Sequence, residues 1–288
     1  MLSHDTRFDR LLAVLEDLAA GDLDVRFQLS DRLDEIDAIG YGINQMAEEL
    51  RDTINALSVA NEELSQFAFI VSHDLKSPLR GIQNCAEMLR QEGEDNLLPE
   101  QLRYLDLLQS AARRGQLLVG ELLEYSQLGI GAGDVKPIDM RALIDETIGD
   151  LDGANDVEWE IQRRWPTPVT SAMLLRQVLA NLFTNAITYN RSTPPRIAVG
   201  SKNNGDESQF TFFVRDNGIG IAPQYHKKIF NLFQRLHHRS EFDGSGVGLA
   251  TVRKAALALG GSVTLDSNLG EGSTFWVSIP RSYQGAHR

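Results

Sequence analysis

Cysteine, basic runs and long apolar stretches are what this chain of 288 residues has least of. Its single cysteine, Cys85, permits no internal disulfide and falls in a helical pattern, so a reducing compartment and the role of a buried small hydrophobe are expected. Lys and Arg number 28 against 40 Asp and Glu, a formal net charge of -12, with no extended basic run. That balance argues against a nucleic-acid partner, whose phosphates reward clustered cations. No stretch approaches the roughly 20 consecutive apolar residues of a membrane helix, and residues 1–10 lack the apolar core of a signal peptide. A cytoplasmic protein with no direct membrane span is the expectation. What remains, 42% hydrophobic and 24% charged residues, is ordinary for soluble globular protein, and the length leaves room for two or three domains.

From Ile36 onward apolar residues recur at 3–4 spacing through Ile39, Ile43, Met46, Leu50, Leu57, Ala60, Leu64, Phe67 and Val71, interrupted by Thr53. This is a coiled-coil seam. The series resumes one residue out of register at Leu75, Leu79, Ile82, Ala86 and Leu89, and the slip falls beside His73. Two positions after seam residue Val71, His73 is rotated by about 200° and presented to solvent, with Asp74 next to it. A second helical run over 99–128 carries Leu102, Leu105, Ala112, Val119, Leu122 and Leu123, after a turn at 93–98. A lone hairpin would leave a long apolar stripe wet; two of them, as a symmetric homodimer, close a four-helix bundle. Upstream, Leu11, Leu12, Leu15 and Leu18 mark a short amphipathic helix, followed by Gly21-Asp22-Leu23 and a polar stretch to Asp34-Glu35-Ile36.

After Gly129-Ile130-Gly131-Ala132-Gly133, which reads as a flexible linker, the periodicity changes to strands alternating with helices. Strands are expected over 157–161, 196–202, 209–215, 262–267 and 274–279, with helices over 140–151, 172–190, 223–233 and 247–259, making an α/β sandwich. Three elements carry chemistry. Asn181 and Asn185, at i and i+4, share one face of a helix, where an amide oxygen suits Mg²⁺; the alternative is a pair of polar residues crossing a core helix. Asp216-Asn217-Gly218-Ile219-Gly220 follows an apolar strand, so a buried carboxylate there can accept the amino proton of adenine while the glycines admit the base; taken alone it is a good turn. Gly244-Ser245-Gly246-Val247-Gly248-Leu249 opens a helix and offers free N–H groups to phosphates, without the preceding strand of a dinucleotide fold.

Together with Ile229-Phe230-Asn231-Leu232-Phe233 between the last two, these motifs resemble, over residues 60–280, the sensor histidine kinases of two-component systems. Ser72 to Arg80 and Phe233-Gln234-Arg235-Leu236-His237 are most similar to the phytochrome-type members, and the Asp34-Glu35 pair with Asn44-Gln45-Met46 resembles a HAMP signal-relay module. An extended dimerisation coil is the alternative for residues 8–60. The resemblance implies a HAMP-like segment at 1–57, a dimerisation and phosphotransfer hairpin at 58–130 and a Bergerat-type ATP-binding domain at 136–283. It implies that His73 accepts the γ-phosphoryl group of ATP and passes it to the receiver domain of a separate response regulator, and that Asp74 orients the imidazole and offsets its charge. Asn185, seconded by Asn181, would ligate Mg²⁺; Asp216 would read adenine, with Gly218 and Gly220 allowing close approach; Gly244, Gly246 and Gly248 would hinge a lid at 235–244 that closes on the triphosphate, and Leu249 beside them would also belong to the ATP site.

Two positions depart from the family pattern. Thr188 stands where a lysine often follows Asn-Ala-Ile, with Lys227 or Lys228 as candidate substitutes. Ser77 stands four residues after His73, where phosphatase activity typically needs Thr or Asn. No sensory domain precedes Leu11 and no receiver domain follows Pro280, so the signal protein and the response regulator are expected on other chains. Two other classes compete: a catalytically degenerate dimeric scaffold, separated by nucleotide binding, and an ATPase of the gyrase and chaperone type, which would keep turnover without His73.

Overall fold

The computed structural model describes residues 6–32, 34–93, 97–128, 134–202, 205–236, 242 and 244–282. The chain divides into two compact units, residues 1–67 and 68–288. In the first, helix α1 (Thr6–Ala19) buries Leu11 and Val14 beside Phe27, with Leu18, Val25, Ile36 and Ile43 packed around them. Leu12 and Leu15, placed on the same apolar stripe by their spacing, instead stay 45% and 41% exposed. The stripe is narrower than the sequence implies, because the layer it faces is one connector and one helix deep.

That helix is α2 (Glu35–Gly93). Asp34 caps it, its Oδ1 accepting from the N–H groups of Ile36 and Asp37 at 3.2 and 3.3 Å, while Arg7 pairs with Asp34 at 2.6 Å. The Arg7 hydrogen bond holds the Asp34 carboxyl below the usual carboxylate range, and bonds from Ser30 do the same for Asp37. Asn44 clamps the connector onto the helix: its Oδ1 accepts from the Phe27 N–H at 2.8 Å and its Nδ2 donates to the Phe27 carbonyl at 2.9 Å. The Phe27 ring covers Gly40, where any Cβ would collide with it.

Within the second unit, the remainder of α2 lies antiparallel to α3 (Pro99–Gln127): Gln109 bonds Glu87 at 2.6 Å, Arg90 pairs with Asp106, and Leu79 fills the space over Gly115. Ala86, Leu105, Ala112 and Val119 are buried between them, whereas Cys85, expected to be buried, is exposed on α2. The other side of this hairpin is wet, with Leu75, Ile82, Leu89, Leu107 and Leu117 each 46–60% exposed. The turn reading at 93–98 is met by the ends of α2 and α3, although residues 94–96 lie outside the described residues, as does the linker at 129–133.

The C-terminal part of this unit is an α/β sandwich. Strands β1 (Val135–Pro137) and β3 (Val169–Ser171) pair antiparallel; a five-stranded sheet takes the order β2-β4-β5-β7-β6, from β2 (Glu158–Ile161), β4 (Arg196–Lys202), β5 (Gln209–Asp216), β6 (Ser262–Asn268) and β7 (Gly272–Pro280). Within this sheet β2 and β4 run parallel and the other neighbouring pairs antiparallel. Helices α4 (Met140–Gly149), α5 (Ala172–Thr188) and α6 (Gly248–Ala258) supply the facing layer of a single core. Helix α5 is its centre: Leu174, Leu175, Val178, Leu179, Leu182 and Phe183 are fully buried, and burial of each such side chain is worth about 1.5–3 kcal/mol.

The structure corrects the secondary-structure reading at two places. Residues 223–233 form no continuous helix but two 3-10 turns, Pro223–Tyr225 and Lys228–Phe230, ending at Phe233 with φ of 61°. Strands β1 and β3 were absent from the reading: each has three residues, and β1 is exposed throughout and ends in proline. The clamp on the connector yields a test. Asn44→Ala leaves the N–H and carbonyl of Phe27 short of partners and is expected to cost the first unit about 1–3 kcal/mol. Amide exchange at Phe27 should accelerate while exchange in β5 and β7 stays at the native rate.

Candidate functional site

The His73 motif lies apart from the asparagine, Asp216 and glycine motifs. On α2, the His73 and Asp74 side chains are 80% and 74% exposed, and Nδ1 of His73 lies 3.3 Å from Oδ1 of Asp74. An Asp beside Nδ1 favours the tautomer with the proton on that nitrogen, which leaves Nε2 with its lone pair. The rotation away from the seam is as expected, and neither residue lies on the wall of the cavity described next.

A cavity of about 410 Å³ opens between α5, the ends of β5 and β7, and the start of α6. Asn181, Asn185, Asp216, Gly220, Gly244, Gly246, Gly248 and Leu249 all reach its wall, so three separate sequence motifs converge. Gly218 does not reach the wall; its N–H donates to Oδ1 of Asp216 at 2.8 Å, and a Cβ there would press on the Tyr189 carbonyl. Gly220 has φ of 68° and passes so close to the Asn268 carbonyl that only glycine fits.

Asp216 ends β5 opposite Ser273 of β7, whose N–H also donates to Oδ1 at 3.3 Å. Burial pushes the Asp216 carboxyl up to about 6, against the pull of these two N–H donors. An acceptor at the bottom of an apolar cavity, with its second oxygen uncommitted to Gly218 or Ser273, suits a ligand N–H. Asn181 is braced by its Nδ2 bond to the Gln177 carbonyl at 2.8 Å. Nδ2 of Asn185 is buried and meets no protein partner. Asn181 and Asn185 each carry an amide oxygen, a hard donor, on the same wall, and among the described residues no group of three His, Cys, Asp or Glu forms a metal cluster.

Helix α6 starts without a side-chain cap. Its first N–H groups and the positive end of its dipole face the glycine segment, a ready anion site. Gly246, at φ of 79°, accepts from the Phe233 N–H at 2.9 Å, which ties the phenylalanine motif to the glycine motif. The lid reading at 235–244 falls partly outside the described residues, at 237–241 and 243. Within it, Arg235 bonds the Phe242 carbonyl at 2.8 Å and also the Gly244 carbonyl, and the Phe242 ring lies 5.1 Å from that of Tyr189.

Lys227 and Lys228 are exposed and off the cavity wall; among the described residues the cationic side chain on that wall is Arg235. Sequence reasoning also missed Tyr189, Ser273, Glu121 and Glu124, which reach the wall as well. Gly270-Glu271-Gly272 before Ser273 was the available signal for the third strand's approach, since Gly272 has φ of 86° and no room for a Cβ beside the Asp216 carbonyl. Nothing in the pattern of α3 marks Glu121 and Glu124.

Residues 170–283 match the family described as histidine kinase-, DNA gyrase B- and HSP90-like ATPases, residues 63–131 the His Kinase A (phospho-acceptor) domain, and residues 6–52 the HAMP domain. Cyanobacterial phytochrome A of a Nostoc species is 34% identical over 82% of this chain and 31% of its own length. The methanogenesis regulatory histidine kinase FilI of Methanothrix harundinacea is 31% identical over 81% of this chain and 26% of its own. The chain spans about a third of the length of the curated relatives it matches. Among solved structures, full-length ShkA in complex with AMPPNP superposes with a TM-score of 0.57 at 26% identity, covering 77% of this chain and 47% of that one. The Acinetobacter baumannii histidine kinase AdeS, at 20% identity, shares the fold with a TM-score of 0.51 over 73% of this chain and 98% of its own. No helix among the described residues is long and apolar enough to cross a membrane. The chain carries HAMP, His Kinase A and histidine-kinase-type ATPase domains in that order, and its homologues are sensor histidine kinases, phytochrome-like kinases among them.

Proposed function

We propose that this chain is an ATP-dependent protein-histidine kinase that phosphorylates His73 and hands the phosphoryl group to an aspartate of a separate response regulator. The observation that carries the reading is the pairing, in one chain, of an exposed His73–Asp74 couple with a cavity that joins Asp216 to the uncapped start of α6. The AMPPNP bound to ShkA supports a nucleotide in that cavity.

In this reading Asp216 accepts a hydrogen bond from the adenine amino group, Gly220 admits the base, and the N–H groups of the Gly244–Leu249 segment hold phosphate oxygens. Asn185, with Asn181 beside it, holds Mg²⁺, which when bound neutralises charge between the phosphates. Nε2 of His73 donates its lone pair to the γ-phosphorus; a P–N bond forms as the P–O bond to the β-phosphate breaks, and ADP leaves with that electron pair. Asp74 holds the Nδ1 proton and balances the imidazolium that develops. His73 and the cavity share no wall, so transfer requires the ATPase domain to approach an imidazole of its own hairpin or of the partner in a homodimer. The exposed stripe Leu75, Ile82, Leu89, Leu107 and Leu117 supports the dimer, as the His Kinase A match does.

Native chain incubated with γ-labelled ATP and Mg²⁺ should acquire an acid-labile, alkali-stable label, absent from His73→Gln and reduced at least a hundredfold in Asn185→Ala. A label that persists in His73→Gln would refute the assignment. A second expectation follows from Asp216. Its folded value near 6 lies above the ordinary carboxylate value of 3.8, so the folded state binds the proton more tightly. Stability from this group is greatest below about pH 4, falls as the carboxyl ionises between about pH 4 and 6, and is flat above. At pH 8, Asp216→Asn should therefore raise the melting temperature of the nucleotide-free chain, by the equivalent of about 2–3 kcal/mol, yet lose ATP binding. Calorimetry of the native chain and Asp216→Asn at pH 8 checks the two signs together.

A further inference from the structure

Asn217 stands beside Asp216 in the same motif but does not reach the cavity wall. Its side chain is spent on the segment that follows α5. Oδ1 accepts from Nδ2 of Asn190 at 2.9 Å and from the Arg196 N–H at 2.8 Å, and Nδ2 donates to the Pro194 carbonyl at 3.3 Å. The Asn217 main chain is held by the same segment: its N–H donates to the Arg196 carbonyl at 3.3 Å, and its carbonyl accepts from Oγ of Ser192 at 2.6 Å. Ser192 is tied back in turn, its N–H donating to Oδ1 of Asn190 at 3.0 Å. The register of β4 with β5 ends at the pair Ile197 and Asp216, so the Asn217 amide secures the chain where the ladder stops.

This anchor acts on the cavity through the turn at 217–220. Ile219 donates its N–H to the Tyr189 carbonyl at 3.0 Å, and its own carbonyl accepts from the Gly270 N–H at 2.7 Å. Gly218 lies so close to the Tyr189 carbonyl that no Cβ fits, and its N–H donates to Oδ1 of Asp216 at 2.8 Å. The seating of the turn against Tyr189 therefore sets the Gly218 N–H, and that N–H sets the rotation of the Asp216 carboxylate. With Oδ1 held by Gly218 and Ser273, Oδ2 is the oxygen that these two donors leave to a ligand. A carboxylate free to rotate presents neither oxygen at a fixed place, and a hydrogen bond weakens steeply as its angle is lost.

We propose that Asn217 is a positioning residue for base selection: by anchoring the segment 190–196 to the turn after β5, it aims the Asp216 carboxylate at the 6-amino group of a purine. The inference rests on the nucleotide reading given above, and it assigns selectivity to side chains that touch no nucleotide, since Asn190, Ser192 and Asn217 all lie off the cavity wall. A buried carboxylate favours the base that donates to it only while its geometry is held. Loss of the anchor costs the contact with the base and spares the phosphate contacts at the start of α6.

The test uses the full chain in Mg²⁺ and compares, by titration calorimetry, the binding of ATP, of ADP and of purine riboside triphosphate, which is ATP without the 6-amino group. The variants are Asn217→Ala, Ser192→Ala and Ser192→Thr. The native chain should prefer ATP over the analogue by about tenfold or more. Asn217→Ala should cut that preference by about fivefold or more, Ser192→Ala by a smaller factor, and Ser192→Thr, which keeps the hydroxyl, should retain it. The ratio of ATP to ADP affinity reports the phosphate contacts and should stay native throughout. Ser192→Ala removes a single bond and carries the test where Asn217→Ala does not fold. A native preference in Ser192→Ala, or in a folded Asn217→Ala, would overturn the proposal. An equal fall in the ATP to ADP ratio would overturn it too, as the sign of a site that has merely loosened. A native chain that binds ATP and the analogue equally would refute the role of Asp216, and one that binds no ATP would refute the nucleotide reading; both outcomes are visible before any variant is made.

Discussion

Burial of α5 against the five-stranded sheet is the constraint on which the site depends. Six of its side chains are fully inaccessible, so the helix has one possible rotation, and that rotation leaves Asn181, Thr184 and Asn185 facing the cavity. The same sheet sets Asp216 opposite Ser273 and, through Gly272, lets β7 close on the carboxylate. A slip of one residue in β5 would send Asp216 to the other face of the sheet. The polar wall of the cavity is thus a by-product of apolar packing, held with a precision that the loops around it could not supply.

The helical part follows the opposite logic. Along α2 the seam residues Ile39, Met46, Leu50, Leu57, Leu64 and Phe67 are each about half or more exposed, which a single chain cannot justify energetically. Apolar surface on that scale is satisfied by another copy, whereas the C-terminal sandwich satisfies its own. One half of the chain is built to associate and the other to enclose, and His73 sits on the associating half, turned away from its seam.

What was legible in the sequence followed the strength of the repeating pattern. The α2 seam, the hairpin and the five long strands could be read because their periodicity persists over many residues. The glycine motifs could be read because backbone at positive φ, as at Gly220 and Gly246, leaves few choices of residue. Short or exposed elements carried no such signal: β1 and β3 have three residues each, and residues 223–233 have the composition of a helix but are cut by Pro223 and the left-handed Phe233. The departure at Thr188 could be seen, but its consequence could not, since Lys227 and Lys228 were the candidates by motif whereas Arg235 is the cation on the cavity wall among the described residues. Glu121 and Glu124 were invisible for a different reason. Their contact with the cavity is a tertiary accident of where α3 ends, and no local pattern encodes it.

Phosphorus-31 NMR of the native chain after reaction with ATP and Mg²⁺ tests most directly whether the cavity and His73 act as one enzyme. Autophosphorylation gives a phosphoramidate resonance, with at most one phosphoryl group per chain and release of an equal amount of ADP. A phosphoester resonance, or continuous release of inorganic phosphate with no protein-bound signal, would contradict it.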